Sequence, residues 1–347
     1  MTSVNMRGWR WMAAGACALA LGAGIAAQQK VLITGAGATF PQPIYEKWFS
    51  EYNKLHPQIQ INYQPLGSGA GIRNLTQQTV FFGATDGPMT QDQMLAAPAR
   101  ILHLPTVLGA VVPIYNVPGV TAEIKFTGTV LADIFLEKIK KWNDPAIAAA
   151  NPGVTLPNVD ILTVHRSDSS GTTYIWCDFL GKVSPEWLKR VGVNTAVNWP
   201  GGIGGAKSDG VTAAVKQTPG AIGYVELVFA LQNKLAYGQV QSADKEFVKA
   251  TIESTTAAAA AAAAKMPADF RVSIVNAPGK GAYPVSSFTW MLFYEAPSDK
   301  AKAKVMVEFM QWALTDGQKF AAAIGYAPLP PAVITLELEA LKKIKTQ

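Results

Sequence analysis

The chain has 347 residues, of which 49% are hydrophobic and 16% are charged, and its formal net charge is +6. This length suffices for one large domain or for two ordinary ones with buried cores, and we expect two lobes. The modest basic surplus suits the attraction of small anions, but the sequence lacks the dense Lys and Arg runs of a nucleic-acid-binding surface. Composition therefore argues against a nucleic-acid-binding protein.

Residues 1–27 have the pattern of a secretory signal peptide. Arg7 and Arg10 precede an apolar run that extends to about Ala27, and a charged start followed by such a run is typical of export signals. A membrane anchor is the alternative, but the run is short for a bilayer span. Lipid attachment at Cys17, inside the run, is a minor alternative. We therefore expect the mature chain to be periplasmic or otherwise extracytoplasmic.

Cleavage would leave Cys177 as the single cysteine, so the mature chain could not form an internal disulfide. We expect Cys177 to be a small buried apolar residue. Cleavage would also leave 28 basic and 24 acidic side chains, a surplus of +4.

The first third of the mature chain alternates between strand and helix patterns. A strand in VLITGAGATF is followed by a helix in PQPIYEKWFSEYNKLHP, with Ile44, Trp48 and Tyr52 at helical spacing and a start near Thr39 and Phe40. A strand in QIQINYQPLG, a helix in SGAGIRNLTQQ and a strand in VFFGATD come next. This rhythm predicts α/β architecture with mostly parallel strands, and ligands of such sheets lie at the carboxyl ends of the strands.

Two later segments, ILHLPTVLGAVVPIYNVPG and SSFTWMLFYEAP, are too apolar for surface loops, and each could carry the chain through a core or between two lobes. PGAIGYVEL has a turn and strand pattern, and TTAAAAAAAAKM is expected to be a helical surface segment. After Tyr294, two helices separated near Asp316 and Gly317 are predicted. The glycine-rich WPGGIGGAKSDG is interpreted as a structural loop, with Asp209 near a helix start.

Three segments combine a small-residue turn, hydroxyl groups and an immediate helix start: GAGATFPQPIY, LGSGAGIRNL and SDSSGTTYIW. The first turn of a helix has unpaired N–H groups and the positive end of the helix dipole, so it can bind an anion. Ser and Thr at such positions also cap ordinary helices. Three glycine-assisted starts together make a shared anion site plausible.

Charged residues near these segments restrict the anion. Arg166 could grip two oxygens of an oxyanion, and Asp168 could hold Arg166 or form an ordinary surface pair with it. Asp86 follows a predicted strand and could simply initiate a turn. If Asp86 instead faces the anion, the anion must carry a proton, which phosphate retains near neutral pH and sulfate does not.

Enzyme motifs are absent from the sequence. It contains neither GxSxG, nor GxxxxGK[ST], nor a complete GxGxxG, and its three histidines lack metal-ligand spacing. Ser169 or Ser170 could serve as a nucleophile with His165 as base, but residues so close on an extended segment rarely face one another. We therefore predict no catalytic residue, no metal site and no cofactor.

The sequence resembles the periplasmic phosphate-binding proteins of the phosphate-specific ABC import system. The matching segments run in order through nearly the whole mature chain: TGAGATFP, GSGAG, FGATD, KIKKWNDPAI, HRSDSSGTT, WPGGIGGAKSDG and PGAIGYVE. The resemblance implies a two-lobed α/β fold in which phosphate is enclosed between lobes that close about a hinge. It also implies these phosphate-binding residues: Thr39, Phe40, Ser68, Asp86, Arg166, Ser170, Gly171 and Thr172.

Within that set, the resemblance implies that Phe40 and Gly171 act through backbone N–H groups and that Asp86 accepts the phosphate proton. Arg166 is implied to be the charged donor, held by Asp168. These roles agree with the anion site inferred from the residues themselves.

The expected protein is thus a non-enzymatic receptor with a two-lobed periplasmic binding protein fold, type II-like, with a hinge and an interlobe cleft. Lobe one is expected to comprise residues 28–114 and 285–347, and lobe two residues 115–284. The receptor would be a monomer that delivers inorganic phosphate to ABC transporter permease subunits in the inner membrane. The alternatives are a receptor for another oxyanion such as sulfate or molybdate, a phosphatase-like hydrolase, and a surface-anchored scavenging protein.

Overall fold

The computed structural model describes residues 30–263 and 265–347. The predicted signal peptide and Cys17 lie outside these residues. None of the helices among the described residues combines the length and the hydrophobicity that a membrane span requires. The strands of the described chain are β1 (Val31–Gly37), β2 (Ile59–Pro65), β3 (Phe82–Thr85), β4 (Ile101–Tyr115), β5 (Lys125–Phe126), β6 (Leu162–Arg166), β7 (Ile203–Gly205), β8 (Ala221–Glu226), β9 (Ala236–Tyr237), β10 (Gln239–Gln241), β11 (Phe247–Val248) and β12 (Ser286–Tyr294).

Helices follow most of the strands, as the sequence pattern predicts. The helices of the described chain are α1 (Gln42–Leu55), α2 (Ser68–Thr76), α3 (Gln91–Ala96), α4 (Gly128–Phe135), α5 (Pro145–Ala150), α6 (Gly171–Val183), α7 (Pro185–Arg190), α8 (Lys207–Gln217), α9 (Leu227–Gln232), α10 (Ile252–Ala263), α11 (Lys300–Leu314) and α12 (Pro331–Leu341). Two 3-10 helices, Asp316–Phe320 and Ala322–Ile324, lie between α11 and α12.

Nine strands of the described chain form one mixed sheet in the order β2-β1-β3-β12-β4-β8-β6-β7, with β9 paired to β4. The pairs β1–β2, β1–β3, β6–β7 and β6–β8 are parallel. The pairs β12–β3, β12–β4, β4–β8 and β4–β9 are antiparallel. The prediction of mostly parallel strands is therefore wrong, because a β pattern in the sequence does not show the direction of its partner.

Strand β4 belongs to both halves of this sheet. Its residues 101–110 pair with β12, and its residues 111–115 pair with β8. Every residue of β12 is buried, and in β4 only Leu102 is partly exposed. The prediction that these two apolar segments run through the core is confirmed. In the remaining sheet of the described chain, β10 lies between β11 and β5.

Helix α1 buries Ile44, Trp48 and Tyr52, the apolar residues that the sequence places at helical spacing. It begins at Gln42, slightly after the predicted boundary, and carries Pro43 in its first turn. Proline suits this position because its missing N–H would have no partner inside the helix. The residues between β1 and α1 are consequently a turn, and they face the carboxyl end of the sheet.

The alanine run is helical, as predicted, but it is not a surface segment. Ala258 and Ala259 in α10 are fully buried, and the helix packs against β4 and β12. A small side chain lets the helix approach the sheet closely. A run of alanines is therefore compatible with a buried helix as well as with an exposed one.

The C-terminal region agrees only partly with the sequence pattern. Helix α11 is present and ends before Asp316, as predicted. The second predicted helix is replaced by the two 3-10 segments, and Gly325 ends them in a left-handed conformation with φ 93°. Helix α12 was not predicted, although Pro331 at its first position is a recognisable start signal.

Candidate functional site

The predicted site residues lie at the carboxyl ends of β1, β3 and β6 and at the starts of α2 and α6. Thr39 and Phe40 follow β1, Asp86 follows β3, and Arg166 is the last residue of β6. Ser68 and Gly171 are the first residues of α2 and α6. All of these residues are buried. The fold therefore places these two helix starts, with unpaired N–H groups, beside one carboxylate and one guanidinium.

Asp86 is 1% exposed and is held by hydroxyl groups. Thr289 Oγ1 donates to Asp86 Oδ1 at 2.8 Å, and Ser68 Oγ donates to Oδ2 at 3.4 Å. The N–H of Asp86 donates in turn to Ser68 Oγ at 3.1 Å. Burial raises the pKa of Asp86 to about 7, although the bonds from Thr289 and Ser68 and the charge of Arg166 oppose this shift. Near neutral pH this carboxyl can therefore either accept or hold a proton.

Arg166 and Asp168 form a two-pronged ion pair. Arg166 Nε donates to Asp168 Oδ1 at 2.7 Å, and Nη2 donates to Oδ2 at 2.5 Å. The backbone N–H of Lys207 also donates to Asp168 Oδ1, at 2.9 Å. Partial burial opposes ionisation of Asp168, but these bonds and the charge of Arg166 hold its pKa below the ordinary value. The side chain of Arg166 is only 1% exposed, so this contact differs from an ordinary surface pair.

The start of α6 offers further donors. Ser170 caps the helix, since its Oγ accepts from the N–H of Thr173 at 3.2 Å. Its own N–H donates to Thr195 O at 2.7 Å, so its hydroxyl hydrogen is the donor that Ser170 could offer to a ligand. Thr172 Oγ1 is buried and has no hydrogen-bond partner among the described residues. Among the described residues, the backbone N–H groups of Phe40, Gly171 and Thr172 also have no hydrogen-bond acceptor.

The segments from the two halves of the sheet contact each other directly at this site. The N–H of Gly69 donates to Ser169 O at 3.1 Å, and Thr39 Oγ1 lies 2.9 Å from Ser208 Oγ. A Cβ on Gly171 would lie 2.4 Å from Ser68 Oγ and 2.5 Å from Asp86 Oδ2. Real Cβ atoms do not approach so closely, so glycine is required where α6 meets α2.

Three residues of this cluster were missed by the sequence reasoning. Thr289 of β12 bonds Asp86, and Ser208 of α8 contacts both Thr39 and Arg166. Tyr224 of β8 accepts from the N–H of Arg166 at 3.2 Å. The hydroxyl residues inside the apolar SSFTW segment were the available signal for Thr289, because a buried hydroxyl needs a partner.

The arrangement gives no support to a Ser–His nucleophile. His165 Nδ1 contacts the carbonyl of Arg166, and its ring stacks on Trp199 with centroids 4.7 Å apart. Ser169 Oγ pairs with Thr195 Oγ1 at 2.8 Å. Within the residues described, His165 makes no hydrogen bond to either serine, and no cluster of His, Cys, Asp and Glu suited to a metal ion occurs. Cys177 is fully buried, as predicted, and burial raises the pKa of its thiol.

Comparisons with known proteins agree with this geometry. Residues 24–316 match the family model of the PBP superfamily domain. The phosphate-binding protein PstS of Xylella fastidiosa is 42% identical over 307 residues, which cover 88% of this chain and 84% of the relative. The PstS of Pasteurella multocida is 43% identical over 307 residues, 88% of each chain.

Solved structures show the same fold at lower identity. A periplasmic phosphate-binding protein described as PfluDING, with bound phosphate, matches with a TM-score of 0.71 at 20% identity, over 88% of this chain and 92% of the other. A substrate-binding protein of Clostridium perfringens, described as a phosphate ABC transporter component with bound phosphate, matches with a TM-score of 0.63 at 17% identity. That match covers 86% of this chain and all of the other.

The fold and the matching family model define a periplasmic-binding-protein-like receptor of mixed α/β structure. At 42% to 43% identity over most of its length, the chain belongs to the PstS family of phosphate-binding proteins. The expected fold class and family are thereby confirmed, and so is the prediction of a transport receptor and not an enzyme.

Proposed function

We propose that this chain captures inorganic phosphate between two lobes, at the cluster that contains Asp86 and Arg166, and delivers it to an ABC import permease. The observation that supports this most directly is the pairing of one buried carboxyl, whose pKa is raised to about 7, with one buried guanidinium and several neutral donors. A site of this kind suits an oxyanion that carries its own proton. The names of the relatives point to the same ligand.

The proposed hydrogen-bond donors to the anion come from three backbone turns and from Arg166. The first turn, after β1, provides Thr39 and the N–H of Phe40, and the second, at the start of α2, provides Ser68. Arg166 supplies the positive charge, with Asp168 holding its guanidinium in place. The third turn, at the start of α6, provides Ser170, Gly171 and Thr172. Hydrogen bonds to a charged group contribute about 1.5–3 kcal/mol each, so several together could offset the desolvation of phosphate.

Asp86 is proposed to set the specificity. As a carboxylate it accepts a hydrogen bond from the protonated oxygen of phosphate, whereas sulfate has no proton near neutral pH and would meet an unpaired negative charge. The hydroxyl of Thr289 donates to Asp86 Oδ1 at 2.8 Å and so favours the charged form of this carboxyl, whereas the hydroxyl hydrogen of Ser68 is proposed to turn to the anion. Specificity for phosphate over sulfate thus depends on repulsion as well as attraction.

The proposed lobes are residues 28–114 with 285–347, and residues 115–284. The pairing supports this division, because β4 pairs with β12 up to Ala110 and with β8 from Val111. The chain thus leaves the first lobe through β4 and returns just before β12. A ligand that touches both lobes favours the closed arrangement over an open one, so binding would shift that population.

The names of the relatives also support a proposal for the partners and the location. Permease subunits in the inner membrane are the proposed docking partners, and the mature chain is proposed to act in the periplasm as a monomer. The modest basic surplus suits capture of an anion and gives no basis for nucleic-acid binding.

Calorimetric titration of the phosphate-stripped mature protein tests this proposal. Phosphate and sulfate are titrated separately at neutral pH, with a chromogenic phosphate ester as a separate turnover assay. We expect saturable one-to-one phosphate binding, no sulfate heat and no turnover. Equal binding of sulfate would indicate a general oxyanion receptor, and turnover of the ester would indicate a hydrolase.

A further inference from the structure

Ser208 lies between site residues that come from the two halves of the sheet. It is the second residue of α8 and is 1% exposed. Its Oγ lies 2.9 Å from Thr39 Oγ1 and 3.4 Å from Arg166 Nη1. Thr39 follows β1 in the first half of the sheet, whereas Arg166 ends β6 in the second half. One hydroxyl therefore connects two predicted phosphate-binding residues from opposite sides of the cleft.

The local fold holds Ser208 at this point. Strand β7 runs parallel to β6 with Gly205 opposite Arg166, and α8 starts just after it. Lys207 adopts a left-handed conformation with φ 60°, and its N–H donates to Asp168 Oδ1. The carboxylate that grips Arg166 therefore also fixes the first turn of α8. A non-glycine residue rarely adopts this conformation unless its surroundings enforce it.

Arg166 restricts the hydrogen bonds that Ser208 can make. Arg166 can only donate, so Ser208 Oγ accepts from Nη1 and keeps its own hydrogen for another partner. Thr39 Oγ1 is in contact and can accept this hydrogen, since either hydroxyl of the pair can be the donor. In that direction, Thr39 keeps its own hydroxyl hydrogen free to point at an anion.

We propose that Ser208 is a positioning residue that joins the two lobes and turns the Thr39 hydroxyl toward the bound anion. This inference rests on the proposed function, because it requires that Thr39 and Arg166 bind phosphate together. Ser208 acts through these two residues and needs no contact of its own with phosphate. Its contribution is present only when the lobes are closed, so its removal accelerates ligand release more than it slows capture.

The test compares Ser208→Ala with Ser208→Thr and with Thr212→Val. Ser208→Thr keeps the hydroxyl, and Thr212→Val is the matched control, because Thr212 Oγ1 donates only to the carbonyl of Ser208 on the same buried helix. Phosphate affinity and dissociation rate are measured by calorimetry and stopped flow, and urea unfolding checks that each variant folds. We expect Ser208→Ala to weaken binding about 10- to 100-fold, mainly through faster dissociation. Ser208→Thr should recover most of this loss, and the control should bind as wild type.

A double-mutant cycle separates positioning from a general structural role. Thr39→Val removes the acceptor of the Ser208 hydroxyl, so Ser208→Ala should add little to the loss in a Thr39→Val background. Full additivity of the two losses, or wild-type affinity in Ser208→Ala, would overturn the inference while leaving the proposed function intact. Absence of phosphate binding by the wild-type protein would refute the proposed function itself, and the inference with it.

Discussion

Substitution of Gly171 by alanine should greatly weaken phosphate binding while the protein still folds. Gly171 is the first residue of α6, and a Cβ there would lie 2.4 Å from Ser68 Oγ, 2.5 Å from Asp86 Oδ2 and 2.6 Å from Asp86 Cβ. Unstrained contacts of this kind are about 3.5 Å, so the facing groups must move apart by about 1 Å. Because Ser68 and Asp86 belong to the first proposed lobe and Gly171 to the second, the methyl group should oppose the proposed closure.

The size of the effect follows from the contacts that closure would lose. Separation by about 1 Å would break or lengthen the proposed hydrogen bonds of phosphate to Ser68 and Asp86. At about 1.5–3 kcal/mol for each such bond, the loss is about 3–6 kcal/mol. This corresponds to a roughly 10²- to 10⁴-fold weaker affinity. The ligand-free protein can relieve this overlap by parting α6 from α2, so its free energy of unfolding should fall much less than the free energy of phosphate binding.

The assay combines phosphate titration with urea unfolding in the absence of phosphate. Gly181→Ala is the matched control, because Gly181 lies in the same helix and its added Cβ would be 3.3 Å from a side-chain carbon of Val193. The control should bind phosphate as wild type. Wild-type affinity in Gly171→Ala would show that α6 does not close against Ser68 and Asp86 when phosphate binds.

Two further positions give predictions on specificity, pH dependence and charge. Asp86→Asn should allow sulfate to bind, because the repelling carboxylate is gone; a competition titration in which sulfate stays excluded would contradict this role. The pKa of Asp86 is raised from 3.8 to about 7, so its protonated form is favoured in the fold. The stabilisation it contributes is complete below about pH 4 and is lost as the pH rises through 7, by about 4 kcal/mol at most. Urea unfolding of phosphate-free protein at pH 5 and pH 8 should show a larger loss in wild type than in Asp86→Asn, where buried Glu226 and Glu337, whose pKa values are also raised by burial, still contribute, and equal slopes would refute the assignment. Arg166→Lys should weaken phosphate binding about 100-fold, because lysine cannot keep two bonds to Asp168 while it grips the anion. The exposed Arg190→Lys serves as its control, and similar affinities in the two variants would exclude a special role for the guanidinium.

Local features of the site could be predicted from the sequence because they depend on neighbouring residues. The helix starts at Ser68 and Gly171 follow small or hydroxyl residues and precede apolar helical patterns, and both are present in the structure. The position of Asp86 after a strand was visible for the same reason. The pairing of Arg166 with Asp168 could also be predicted, because side chains two residues apart at a strand end can reach each other.

Other features depend on residues far apart in the chain and could not be predicted. Thr289 reaches Asp86 only because β12 inserts between β3 and β4, an order that no local pattern encodes. Ser208 reaches Thr39 only because the start of α8 lies beside the turn after β1, 169 residues away in the chain. The raised pKa of Asp86 likewise depends on burial by surrounding segments and not on its sequence neighbours.

The position of β12 also has a consequence for how the chain acquires its structure. β12 lies between β3 and β4, although it is the last strand to be synthesised, and Ser286 pairs with Ala110. Until it arrives, β3 and β4 each present an unpaired, apolar edge, and such edges favour aggregation. The N-terminal third of the protein therefore cannot complete its sheet during synthesis. A nascent chain of this kind benefits from a chaperone or from delayed folding until residues beyond Tyr294 have emerged, and truncation before β12 should yield insoluble protein.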